Sequence, residues 1–130
     1  MDGLIFDTTF LIDFQRERKI GDGRAHAFLQ AHAEDLAFLP VTAYGEFAEG
    51  FESLGDPNFL HVVDSFEILL VTESVARIYA GLARQLREKG NLIGANDLWI
   101  AASAMENRLP LVTRNLEHFS RISGLEVRSY

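Results

Sequence analysis

Gly3-Leu4-Ile5-Phe6-Asp7-Thr8-Thr9-Phe10-Leu11-Ile12-Asp13 is the stretch that decides the fold class. Leu4-Ile5-Phe6 is a short unbroken apolar run, the pattern of a strand covered on both faces in a parallel sheet. The run ends in the carboxylate of Asp7. Two hydroxyl residues follow, and a helical pattern starts at once with Phe10, Leu11 and Phe14. Open α/β sheets take their ligands at the carboxyl ends of strands, where the chain turns into a helix. Asp7 therefore stands where such a protein does chemistry, and its residue type suits a divalent-metal ligand. A strand-end Asp equally suits capping of the next helix through its side chain. Acids elsewhere in the chain must decide between the two.

Outward from this stretch, strand and helix alternate. A short helix is expected over residues 8–15, and residues 16–23 are charged and glycine-broken, as loops are. Residues 24–34 carry Ala25, Phe28, Leu29 and His32 at helical spacing. Leu36-Ala37-Phe38-Leu39 reads as a second buried strand, stopped by Pro40. A third helix follows, with Tyr44, Phe47, Phe51 and Leu54 on one stripe, and Gly55-Asp56-Pro57 forms a turn. Residues 58–66 read as helix and residues 68–71 as strand. Residues 74–89 form the clearest amphipathic helix, with Val75, Ile78, Tyr79, Leu82 and Leu86 as its apolar stripe and Gly90 as its end. A loop over residues 91–94 leads to a helix over residues 96–107. Strand, one helical turn and strand complete the pattern at residues 110–113, 116–119 and 125–128. The alternation predicts an α/β fold: a parallel sheet of four to five strands flanked by helices on both faces.

The whole-chain numbers agree. The 130 residues suit one domain, residues 1–130, and 48% hydrophobic content suits a globular core. There is no cysteine, which excludes disulfides and thiolate metal sites and points to a reducing cytoplasmic home. No apolar run is long enough to span a bilayer, so no membrane role is expected, and the acidic Asp2 is unlike a signal peptide. A net charge of −7 argues against gripping nucleic acid by bulk electrostatics. It leaves room for an enzyme that handles RNA locally, because carboxylates around a metal site raise the negative count and the ion reverses the local sign.

Three further places offer partners for Asp7. Glu46 lies near the start of the third helix on a small-sided face with Ala43 and Gly50, although Glu49 and Glu52 beside it suit an ordinary solvated face. Asp97 opens a helix directly after Gly94, with Asn96 as a candidate N-cap; the helix dipole alone would favour an acid there. Ala101 and Ala104 share its face, which lets that helix approach the sheet closely. Thr113-Arg114-Asn115 clusters polar groups after a strand, suited to holding a water or a phosphate oxygen, or to an ordinary turn.

Taken together, these motifs resemble the PIN-domain family of metal-dependent ribonucleases, and within it the VapC toxins of toxin–antitoxin pairs. The resemblance rests on Phe6-Asp7-Thr8-Thr9-Phe10-Leu11-Ile12, the Glu46 helix, Ile93-Gly94-Ala95-Asn96-Asp97-Leu98-Trp99-Ile100-Ala101-Ala102 and Leu111-Val112-Thr113-Arg114-Asn115. It spans nearly the whole chain, and the third segment is its most specific part. It implies that Asp7, Glu46 and Asp97 are the metal-binding acids and that Thr9 is the small polar residue beside the metal. Asn115 falls where many members place a fourth acid. As an amide it adds no charge but can orient a water. Glu117 is an alternative at that place, and His118 is expected to be local structure. The implied cofactor is Mg²⁺ or Mn²⁺, which all-oxygen donors suit. The implied reaction is hydrolysis of RNA phosphodiester bonds by a metal-activated water, leaving 5′-phosphate and 3′-hydroxyl ends.

Arg114 is the best placed phosphate contact, with Thr9 and Thr113 as further substrate contacts. Arg16, Arg18, Lys19 and Arg24 flank the first loop. Arg77, Arg84, Arg87 and Lys89 stud the long helix, where Arg84 and Glu88 are spaced as an i,i+4 pair. The resemblance also implies a VapB-like antitoxin and a homodimer. Two alternatives remain: a PIN-fold binding module without activity, and a phosphatase of the haloacid dehalogenase type. The second needs another Asp two residues after the first, where this chain has Thr9.

Overall fold

The computed structural model describes residues 3–130, so Asp2 lies outside the described residues. Their elements are β1 (Gly3–Phe6), α1 (Thr8–Arg18), α2 (Arg24–Ala31), β2 (Leu36–Pro40), α3 (Val41–Ala48), α4 (Pro57–Val63), β3 (Glu67–Leu69), α5 (Glu73–Glu88), α6 (Ala95–Asn107), β4 (Leu111–Val112), α7 (Leu116–Phe119) and β5 (Val127–Arg128). The five strands form one parallel sheet in the order β3-β2-β1-β4-β5. The expected α/β class and strand number hold.

β1 is the central strand because it is apolar on both sides. Leu4, Ile5 and Phe6 are all buried, which requires cover on each face of the sheet. Crossovers between parallel strands are right-handed. The connections from β1 to β2 and β3 therefore cover one face, and those returning to β4 and β5 cover the other. Phe6 packs against Phe10, Phe28 and Phe66, and Phe47, Phe51 and Phe59 form a second aromatic group. On α5 and α6, Tyr79 and Trp99 stack with ring centroids 3.8 Å apart.

Several boundaries differ from the sequence expectation. α1 runs to Arg18 rather than stopping at residue 15. Arg16 and Arg18 complement the dipole in its last turn, and Glu17 is anchored to the next helix. α2 ends at Ala31, where the His32 ring turns back to the Phe28 carbonyl. α3 ends at Ala48, so Phe51 joins the core from a loop and Leu54 is exposed. β3 is a short edge strand, and Leu70 lies beyond it in solvent. α6 starts from Gly94, which places Asn96 inside the first turn and not at the cap. The i,i+4 ion pair on α5 is Glu73 with Arg77, not Arg84 with Glu88.

Glu17 supplies the cap that α2 lacks locally. Gly23 precedes α2 and has no side chain, and the Glu17 carboxylate accepts from the amides of Ala25 and His26 at 3.0 and 2.9 Å. The His26 ring lies 2.9 Å from the same carboxylate. Burial pushes the Glu17 carboxyl up, but those amides and the His26 ring outweigh it and hold it below its ordinary value. A depressed carboxyl stabilises the fold above its unfolded value and loses that contribution as pH falls through the folded one. Glu17→Gln is therefore expected to cost about 1 kcal/mol at neutral pH. Urea unfolding should show the gap from wild type closing at acidic pH, where Glu17 is itself neutral.

Candidate active site

The strand order reverses direction at β1: the chain moves from β1 to β2 and β3, then returns to β4 on the other side. Such a switch point opens a crevice at the carboxyl ends of the two strands. Asp7 follows β1 and Thr113 follows β4, so the two residues straddle it.

Asp7 caps α1 at the end of β1, one of the two roles that its place in the sequence suits. It is 1% exposed. Its Oδ1 accepts from the Phe10 amide at 3.0 Å and from the Thr9 hydroxyl at 2.8 Å. Its Oδ2 accepts from the Thr113 hydroxyl, which in turn accepts from the Asn115 amide at 3.0 Å. Burial raises the Asp7 carboxyl above its ordinary value; the Thr113, Thr9 and Phe10 donors oppose the rise, and the Asp97 charge adds to it.

Asp97 enters from the first turn of α6, as its place after Gly94 predicts. Its side chain is 30% exposed. Burial raises its carboxyl as well, with His118 opposing and Glu46 adding to the rise. Glu46 comes from α3, exposed, with Oε1 accepting from the Thr8 hydroxyl. Glu46 is held by Thr8, the neighbour of Asp7, and lines one depression with Asp97, so three acids from three segments lie near one another.

Among the described residues, no group of three or more His, Asp or Glu side chains is gathered tightly enough to hold an ion as it stands. The donor chemistry nevertheless fits a hard divalent cation. The acids offer only oxygen. Two of them are held above their ordinary range, first by burial and in part by a neighbouring acid, Asp97 acting on Asp7 and Glu46 on Asp97, a penalty that a cation removes.

The other sequence candidates fall nearby. Thr113 is completely buried, so its hydroxyl serves Asp7 and Asn115 rather than facing a substrate. Thr9 is partly buried and donates to Asp7. Asn115 precedes α7 without capping it through its side chain. Arg114 is half-exposed and pairs with Asp13 at 2.9 Å. Glu117 is exposed on α7.

Sequence reasoning missed four residues. His118 is not merely local structure: its Nε2 lies 3.4 Å from Asp97 Oδ2 and has no hydrogen-bond partner among the described residues. Thr8 holds Glu46. Asp13 and Tyr130 form a hydrogen-bonded pair beside Arg114. For Asp13 a signal existed, because Thr9 and Asp13 are four apart and share a face of α1. For Tyr130 there was none, since its partner lies 117 residues away.

A family model described as PIN domain matches residues 4–125. The chain belongs to the PIN domain family. Within that family, this PIN domain is similar to curated relatives across nearly its full length. Ribonuclease VapC1 of Methanocaldococcus jannaschii is 27% identical over 128 residues, covering 98% of this chain and 86% of that protein. Ribonuclease VapC of Rickettsia bellii is 31% identical over 133 residues, covering 96% of this chain and 94% of that protein. Solved structures share the fold. VapBC2 from Rickettsia felis, bound to a DNA fragment from their promoter, matches this PIN domain with a TM-score of 0.84 at 22% identity, covering 98% of each chain. VapBC-5 from Mycobacterium tuberculosis, a member of the VapBC family of toxin–antitoxin systems, matches with a TM-score of 0.68 at 25% identity, covering 99% of this chain and 98% of that one.

Proposed function

We propose that this PIN domain is a metal-dependent endoribonuclease and the toxin of a VapBC-type pair. The observation that supports the reading most is the nearness of three acids in a PIN fold: Asp7 after β1, Glu46 held by the adjoining Thr8, and Asp97 lining one depression with Glu46. Relatives named ribonuclease VapC support RNA as the substrate. Neighbours solved as VapBC complexes support a VapB-like antitoxin as partner. A homodimer and a cytoplasmic location belong to the same reading. Among the described residues, no helix is long and apolar enough to cross a membrane.

Asp7, Glu46 and Asp97 would hold the ion, Mg²⁺ or Mn²⁺. Bound there, it supplies an activated water and neutralises charge that develops on the scissile phosphate. The chain's own residues do the positioning. Thr9, Thr113 and the Phe10 amide fix the Asp7 carboxylate in one orientation. Asn115, whose side chain is not spent on capping α7, orients a water. Arg114, half-exposed at the end of β4, meets a phosphate of the strand. Thr9 adds a substrate contact at the crevice edge. A water nucleophile requires no 2′-hydroxyl, so the preference for RNA comes from binding.

The test is cleavage of a mixed small-RNA pool by partner-free protein with Mn²⁺, with Mg²⁺ and with chelator, beside Asp97→Asn. Discrete fragments with 5′-phosphate ends are expected only with metal and only from wild type. Equal cutting by Asp97→Asn, or cutting under chelator, would overturn the assignment. RNA binding by wild type without turnover would favour an inactive binding module. A phosphate ester trapped on Asp7 would favour the phosphatase alternative, against which Thr9 stands.

A further inference from the structure

We infer that Tyr130 and Asp13 are positioning residues that present the Arg114 guanidinium to a phosphate of the bound strand. The inference rests on the ribonuclease reading and extends it to two residues outside the acid cluster.

The geometry is a chain of three side chains from three parts of the sequence. The Tyr130 hydroxyl donates to Asp13 Oδ2, and the Tyr130 ring packs edge-on against Phe10 with centroids 4.7 Å apart. Asp13 Oδ1 accepts from Arg114 Nη1 at 2.9 Å. Phe10 is completely buried and belongs to the helix that Asp7 caps, so the ring is anchored to the rigid part of the site. Burial, then the hydrogen bond to Asp13 and the charges of Asp13 and Asp7, push the Tyr130 phenol far above its ordinary value. It therefore stays a hydrogen-bond donor throughout the working pH range.

The arrangement matters because of what it prevents. Arginine and carboxylate tend to join by two parallel hydrogen bonds, which commit the planar fork to its partner. Tyr130 occupies one Asp13 oxygen, and Arg114 is left with a single bond to the other. Among the described residues, its Nε and Nη2 make no further hydrogen bond, and its side chain is 51% exposed. A guanidinium carries five N–H donors. Arg114 is thus held by one corner with most of its donors facing out. It borders a depression of about 420 Å³ also lined by Asn115, Glu117, His118 and Arg121, whose two arginines outnumber the one carboxylate. Three features of that place favour a phosphate: a tethered guanidinium, a second arginine and an adjoining acid site that attracts a cation.

Steady-state cleavage of one RNA that wild type cuts, followed between about 50 and about 200 mM salt, tests the assignment. Arg114→Ala should raise KM about tenfold and flatten the log–log salt dependence by about one. Tyr130→Phe keeps the ring on Phe10 and removes only the hydroxyl. It frees Asp13 Oδ2 to draw Arg114 into a bidentate pair, so KM should rise by up to about tenfold while kcat falls far less. Asp13→Asn should do the same by releasing the tether. The double variant Tyr130→Phe with Arg114→Ala should be no worse than Arg114→Ala alone, because one acts through the other. A purely structural Tyr130 would give additive losses, and that result overturns the inference. So does a Tyr130→Phe protein with wild-type KM and salt dependence. If wild type cuts no RNA with any metal, the ribonuclease reading itself falls and this inference falls with it.

Discussion

Asp97→Asn is expected to lower RNA cleavage by about 10³-fold while raising the thermal unfolding midpoint of the metal-free protein. The two effects have one cause. Asp97 is partly buried, and burial raises its carboxyl; Glu46 adds to the rise and only His118 opposes it. A carboxyl raised in the folded state weakens folding at neutral pH, and the penalty fades as pH falls through the folded-state value. The sign is opposite to that of Glu17. An amide of the same shape removes the penalty together with the charge that a cation needs. Calorimetry in chelator at neutral and mildly acidic pH checks the stability half. The variant should exceed wild type at neutral pH and converge with it on acidification. A lower midpoint for the variant would mean that attraction to His118 outweighs burial and repulsion.

Thr113→Val is the second large effect. Thr113 is completely buried, and valine nearly matches its shape, so packing survives the change. What is lost is the hydroxyl that donates to Asp7 and accepts from the Asn115 amide. Leaving those groups unpaired should cost about 1–3 kcal/mol in urea unfolding. Freeing Asp7 to turn should lower cleavage by about 10–100-fold, as loss of a hydrogen bond to a metal ligand does. Thr113→Ser should restore most of both. Wild-type activity in the valine variant would show that Thr9 and the Phe10 amide suffice to orient Asp7.

The sheet was legible because its strands are short apolar runs ending in polar groups, and β1 and β4 show this most clearly. Helix ends were harder. Nothing local to residues 16–18 says that Glu17 will cap a helix it does not belong to, so the local pattern predicts an α1 that stops early. Gly94 takes the cap position expected of Asn96, because the helix begins two residues sooner than a cap at Asn96 would require. At the site, Asp7, Glu46 and Asp97 each carry a local signal: a strand end, a small-sided helix face, a first helical turn. His118 and Tyr130 act only through contacts with distant residues, which one-dimensional spacing does not encode.

The central position of β1 also governs when the candidate site is assembled. Asp7 leaves the ribosome long before the hydroxyl that orients it, which belongs to a residue 106 positions later. β1 can pair with β2 early, but its other edge stays open until β4 arrives. Contacts of such long range form late in folding. A nascent chain with this layout carries its acids as a set that Thr113 has not yet ordered. The candidate site is complete only once β4 and Thr113 have been made, late in the synthesis of the domain.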